Sequence, residues 1–239
     1  MKNYRQHRIV RIWSNKILRE IAPLFCGDVI NVSGWRDEDK QGHTYREYFI
    51  SAHMYYISNY RGARGIEDNP TTDFFIDLTA PILPNELVGR FDVVFNHTTL
   101  EHIFDVRIAF RNLCQLSRDI VIVVVPFAQY LHYQESYGDY WRFTPMSLRE
   151  LFTENGLETV FEAASPYKCA AQYLLFVGSR RPDLWRDRMP AWEPVERLGD
   201  WIGGAECGAC LFFQARELVT GLLEQASRLS SLISRSLSG

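Results

Sequence analysis

Ile120-Val-Ile-Val-Val-Val125 limits the fold more than any other stretch of the chain. Six β-branched residues in unbroken succession are stiff at χ1 and favour a pleated strand over a helix. With no polar residue on either face, such a strand belongs in the middle of a parallel sheet, covered on both sides. Pro126 follows and ends it, because proline has no N–H to extend the ladder.

The flanking patterns supply partners for this strand. Ile9, Ile12, Trp13, Ile17, Leu18 and Ile21 recur at three- and four-residue steps, which predicts an amphipathic helix over about 5–23. Short apolar runs at Asp28–Ser33, Met54–Ser58, Phe74–Asp77 and Phe91–Phe95 read as strands. A helix is expected over 106–116. Another should open at Thr144-Pro145, with threonine as N-cap and proline in the first turn, and stop near Asn155-Gly156. Leu157–Glu162 and Gln172–Gly178 read as two last strands with no clear helix between them, hence as antiparallel neighbours. Tyr45–Tyr60 is rich in aromatics and ambiguous apart from its strand. The alternation predicts an α/β fold. Residues 1–180 are expected to form the main domain. Residues 181–239 read as an extension: an irregular segment rich in Pro, Trp and Arg, then one long amphipathic helix over 210–237 that could pair with a second copy.

Bulk properties narrow the function. A net charge of −3 gives no general attraction to nucleic acid or to anionic membranes. The longest apolar run, Ile120–Ala128, is far short of the roughly 20 residues of a membrane helix. No apolar N-terminal segment suggests a secretory signal. Five cysteines, an odd number mostly in apolar surroundings, suit reduced thiols in the cytoplasm. Cys207-Gly-Ala-Cys210 lacks a second ligand pair, so it reads as two ordinary thiols at a helix start and no metal site is expected.

In open α/β sheets ligands bind beyond the carboxyl ends of the strands. Polar residues follow five strands in turn: Ser33-Gly34-Trp35, Ser58-Asn59, Asp77-Leu78-Thr79, Asn96-His97 with Glu101-His102, and the stretch from Pro126 to Thr144. Among these, Phe91-Asp-Val-Val-Phe-Asn-His-Thr-Thr-Leu-Glu-His102 resembles the fourth-strand motif of S-adenosylmethionine-dependent methyltransferases of the Rossmann-like class, the type 11 group in particular. The continuation through IVIVVVPF, a histidine, DYWRFT and a helix ending in Asn-Gly is similar too, and the resemblance spans about 25–180.

The resemblance implies a doubly wound, mostly parallel seven-stranded sheet with an antiparallel edge strand, and S-adenosylmethionine as cofactor. It implies that Asp77, with Leu78 beside it, receives the adenine. Asn96 and His97 would face the methionine part, and Ser58 or Asn59 would stand where the family places an acid for the ribose. The first loop departs from the family's acid followed by G-x-G-x-G. Asn31 stands for the acid, Ser33 for the first glycine and Trp35 for the second, with Gly34 between. Cofactor binding there would be rebuilt, with Asp37 or Asp39 supplying charge, or weakened.

His132 lies beyond the fifth strand, where an acceptor would approach, and is the candidate general base; the bland alternative is a loop histidine bonded to a carbonyl. Asp139 and Arg142 would pair and fix the loop, or Arg142 would orient the acceptor. Tyr137, Tyr140 and Trp141 could stack on a sugar or simply pack, packing being the expectation for Trp141. Glu101 and His102 are expected to cap the helix that follows. Loose similarity of the aromatic segment to methyltransferases of cell-surface polysaccharide pathways makes a glycan or small-metabolite hydroxyl the expected acceptor. The competing readings are a non-catalytic methyltransferase-like binding protein and an enzyme using another nucleotide.

Overall fold

A computed structural model describes residues 4–62, 71–133, 137–166 and 171–196, with side chains from residue 10 onward. The expected helix over 210–237 and the Cys207/Cys210 pair lie outside the described residues.

Seven strands form one sheet: β1 (Gly27–Val32), β2 (Ala52–Asn59), β3 (Phe74–Phe75), β4 (Phe91–His97), β5 (Ser117–Pro126), β6 (Glu158–Ala164) and β7 (Tyr173–Ser179). Their order is β3-β2-β1-β4-β5-β7-β6. The first five are parallel. β7 runs against both β5 and the edge strand β6. The Ile120–Val125 run is the middle of β5, and each of its six residues is no more than 1% exposed. It sits between β4 and β7, as a strand apolar on both faces requires.

Three helices are present among the described residues: α1 (Tyr4–Ile21), α2 (Val106–Leu116) and α3 (Pro145–Glu154). Thr144 caps α3, accepting from the Ser147 backbone N–H while Ser147 Oγ accepts from the Thr144 N–H. Two expectations need correction. β3 is only Phe74–Phe75; the Ile76 N–H still donates to the Asn59 carbonyl on β2 (2.9 Å), and a turn follows in which the Asp77 carboxylate accepts from the Thr79 N–H and Oγ1. Glu101 and His102 do not cap α2. They form a separate single turn, Leu100–His102, and Asp105 is the residue at the N-cap position.

The crossover from β1 to β2 contains no α-helix. Residues 33–51 run as an irregular segment with a single turn at Tyr45–Glu47. Ser33, Trp35, Asp37 and Lys40 all have positive φ, and so does Gly42. Such residues cannot continue a right-handed helix. Tyr45, Tyr48 and Phe49 are buried and do a helix's work: the rings of Tyr45 and Phe49 lie 5.1 and 5.7 Å from that of Phe95 on β4, and Phe49 also meets Tyr55 on β2. The aromatic segment is thus a cover for the β1–β4 face.

Asp119, at the amino end of β5, ties the segment after β7 beneath the sheet. Its carboxylate accepts from Ser179 Oγ (2.6 Å), Trp185 Nε1 (3.0 Å) and Arg181 (2.9 Å). Trp185 packs on Phe25 at 5.0 Å, and Arg188 donates to the Leu24 carbonyl. Residues 181–189 therefore pack on the sheet through these contacts.

Gly34 is a sharp test of the crossover. A Cβ placed there would sit 2.7 Å from the Asn31 carboxamide, which donates to Asp37. Gly34→Ala should lower unfolding free energy by roughly 1–3 kcal/mol, the usual cost of overpacking, as measured by urea denaturation followed by near-ultraviolet circular dichroism.

Candidate active site

The sequence-predicted residues gather at the carboxyl ends of β1 to β5, but their side chains are spent in different ways. At the end of β1 they hold the crossover. Asn31 Nδ2 donates to Asp37 Oδ1 (2.7 Å), Tyr55 Oη donates to the same oxygen (2.7 Å), and the Arg46 N–H donates to Oδ2. Burial pushes the Asp37 carboxyl above its ordinary value, and the Tyr55 phenol is raised well above its own. Asp39 is likewise enclosed. Its carboxylate takes the Gln41 and His43 N–H groups, Arg19 and the Tyr48 hydroxyl, and these outweigh burial to hold it below its ordinary value. Both carboxylates are consumed by the protein itself.

Ser33 and Trp35 have φ of 59° and 53°. Glycine adopts that backbone freely; residues with a Cβ do not. The loop thus keeps left-handed turns where the resembling family has glycines. Asn59 holds one of them: its Oδ1 accepts from the Trp35 N–H (2.8 Å) and its Nδ2 donates to the Trp35 carbonyl. The indole stays 39% exposed. Asn59 is therefore occupied as a clamp on the first loop.

On either side of Val32 the situation differs. Ser58 on β2 and Asn96 on β4 both stand level with Val32 in the sheet register. Both are fully buried, yet Ser58 Oγ and Asn96 Oδ1 have no hydrogen-bond partner. Asn96 Nδ2 donates to the Val32 carbonyl. Unsatisfied buried polar atoms are few in folded proteins, and a ligand is one way to satisfy them. Asp77 is exposed just past β3, with Leu78 buried behind it.

His97 ends β4 inside a polar network with α1. Arg11 donates to Thr98 Oγ1 (2.9 Å) and Tyr45 Oη (3.0 Å); Ser14 Oγ donates to the Arg11 carbonyl. The remaining contacts, His97 Nε2 to Ser14 Oγ and Nδ1 to Thr98 Oγ1, are consistent with one assignment, a neutral ring protonated on Nε2. Burial, and next the Arg11 charge, hold this imidazole well below its ordinary value.

A third group lies beyond β4 and β5. His132 Nδ1 is 3.1 Å from Asp139 Oδ2 and 3.2 Å from the Tyr130 carbonyl. Both are acceptors, so Nδ1 carries the proton and Nε2 the lone pair. Asp139 is fixed in turn by two bonds from Arg142 (2.5 and 2.8 Å) and by the His132 N–H (2.8 Å). The Arg142 bonds come first among the influences that hold its carboxyl far below the usual range. His102 repeats the pattern, with Nδ1 2.6 Å from the Gly138 carbonyl. The ring centroids of His102 and His132 are 5.0 Å apart. Beside them Glu101 is fully buried, and neither carboxylate oxygen has a hydrogen-bond partner. Burial lifts its carboxyl to about 8. Tyr137 is 4.6 Å from His102, ring to ring, and 37% exposed.

Asp139→Asn weakens both the Arg142 pair and the support of His132. It should speed amide hydrogen exchange at His132 by about 10-fold or more, equivalent to roughly 1.4 kcal/mol of local opening, while exchange in β5 stays unchanged.

A scan against protein-family models finds no match, and no curated protein matches the sequence. Solved structures do match. A Haloferax volcanii chain described as a methyltransferase, in complex with the Trm112 methyltransferase activator, superposes with a TM-score of 0.52 at 14% identity, over 70% of this chain and 87% of that one. A Rhodobacter sphaeroides chain described as a Zn-dependent alcohol dehydrogenase gives 0.50 at 16% identity, over 68% and 88%. At such identities the likeness shows the fold. Strand order, the reversed β7 and these matches agree: the chain has a Rossmann-like α/β fold shared with the Haloferax volcanii chain described as a methyltransferase.

Proposed function

We propose that the protein is an S-adenosylmethionine-dependent methyltransferase acting on a hydroxyl of a sugar or other small metabolite. The observation that carries the reading is the pair of unsatisfied buried atoms, Ser58 Oγ and Asn96 Oδ1, flanking the end of β1. That is where a doubly wound sheet receives a nucleotide. Asp77 is the proposed partner of the adenine amino group, beside Leu78, with Ser58 facing the ribose and Asn96 the methionine side.

The cofactor supplies an activated methyl on a sulfonium, so the protein's task is alignment and deprotonation. His132 is the proposed activating group for the acceptor hydroxyl. Its Nδ1 lies 3.1 Å from Asp139 Oδ2, which sets the ring tautomer so that Nε2 is the basic nitrogen. As the methyl passes to the acceptor oxygen, the carbon–sulfur electrons remain on sulfur and the acceptor's proton leaves. Exposed aromatic residues near this group, Phe104, Tyr130, Tyr133, Tyr137 and Tyr140, support a hydroxyl-rich acceptor such as a glycan, which stacks on ring faces. Arg142 is the proposed orienting residue.

One observation favours a second reading, a non-catalytic binding protein of the same fold. Asp37 and Asp39, the charges nearest the first loop, are saturated by internal donors. Calorimetry with S-adenosylmethionine separates the two. The enzyme reading expects saturable heat; a folded protein giving none at millimolar cofactor belongs to the second reading. Asp77→Ala should weaken cofactor binding by roughly 1–3 kcal/mol, and unchanged affinity would remove Asp77 from the site. His132→Ala should lower turnover by about 100-fold or more with cofactor affinity preserved; a parallel loss of affinity would show that the residue only supports the cleft.

A further inference from the structure

Glu101, His102 and His132 each offer one ligand atom, and these atoms lie within 4.8 Å of one another. We propose that the three residues form a binding site for a divalent transition-metal ion.

The chemistry of the donors fits. Both imidazoles hold their proton on Nδ1, His102 against the Gly138 carbonyl and His132 against Asp139. Their Nε2 atoms therefore carry lone pairs, the form in which histidine binds metal, and a carboxylate or carbonyl on the far nitrogen is the usual outer support. Two histidines and one carboxylate make a known ligand set for first-row divalent ions. Glu101 supplies the independent observation. It is 0% exposed and both of its carboxylate oxygens lack a partner. His102 Nε2 is 3.9 Å from Glu101 Oε1, too far for a hydrogen bond. Bonds of about 2.1 Å to a tetrahedral ion place ligand atoms about 3.4 Å apart, so the ligands have to close by an ångström or so.

The surroundings fix the ligands. The Glu101 carbonyl accepts from the Tyr140 N–H (2.7 Å), which ties the turn after β4 to the loop carrying Gly138 and Asp139. Arg142 holds Asp139, and Asp139 holds His132 both through its ring and through its N–H. The metal would complete a layer already built by protein contacts. Metal binding is read without cofactor or acceptor; a bound ion would occupy the His132 Nε2 lone pair, so the ion and the general-base role proposed above exclude each other at that atom.

The test is titration of the metal-free full-length protein with Co²⁺, followed by visible absorption and by thermal unfolding. One ion per chain should bind with nitrogen–oxygen ligand-field bands and raise the unfolding temperature. Glu101→Gln, a buried isostere that keeps the side chain's shape, and His132→Ala should each abolish both signals. His53→Ala, at an exposed histidine beside Asp28, should change neither. Asp139→Asn should weaken Co²⁺ by about 10- to 100-fold, the cost of losing an outer support. Absence of binding in the wild-type chain would overturn the proposal. So would bands that persist in Glu101→Gln, which would mean that the ion sits on the exposed His43–Glu47 pair, the Cys207/Cys210 thiols or another surface group.

Discussion

A parallel sheet cannot leave either face wet, and the cover of the β1–β4 face is the constraint on which the rest depends. Connections between parallel strands usually supply that cover as helices. Here the β1-to-β2 connection has to do it with irregular backbone, whose N–H and C=O groups still need partners. Asp37 and Asp39 meet the need from inside, each collecting backbone and side-chain donors. With those bonds in place Tyr45 and Phe49 can lie on Phe95, and the left-handed residues of the loop are held against their own preference. Removing a donor from a buried carboxylate is costly, so the cover and the loop stand or fall together.

How much of this was legible varies by element, for physical reasons. β5 declared itself because β-branched residues without a polar face have one comfortable environment. The antiparallel β6–β7 pair followed from the absence of a helix between two strands. The crossover was not legible. Its aromatic content fits a strand, a helix or a packed loop equally well, and what decides is the pairing of Asp37 with Asn31 and Tyr55, a contact between side chains up to 18 positions apart. The end of β3 was missed for a smaller reason: Asp77 forms a turn with Thr79, a local competitor that Asp commonly brings.

The site was legible as a set of strand ends, and less so as a set of roles. Asn31 and Asn59 sit where the family resemblance put them, but their amides are engaged by the loop. The Glu101–His102 pair looked like helix capping because it precedes α2. Its actual neighbour, His132, is thirty positions on, and the chain between them includes all of α2 and β5. Two histidines and an acid falling after adjacent parallel strands was the available signal. It acquires chemical meaning only when Gly138 and Asp139 fold back to fix the ring tautomers.

The sheet's two margins carry a consequence for how copies of this chain can meet. β3 is only Phe74 and Phe75, and past Ile76, whose N–H still donates to the Asn59 carbonyl, the chain enters the Asp77 turn. On the opposite side, the Val195 N–H donates to Glu162 on β6, and Glu162 is also held by Arg149. Proteins blunt their sheet edges in such ways, with very short strands and charged side chains, because an open ladder invites another strand. A second molecule would gain few backbone hydrogen bonds by extending this sheet at β3, and at β6 it would meet a side chain already paired with the same chain. Strand addition is thus blunted at β3 and β6, whereas β3 pairs only Ser58 and Asn59 of β2, so the outer edge of Ala52–Tyr56 is where a further strand would find unpaired ladder groups.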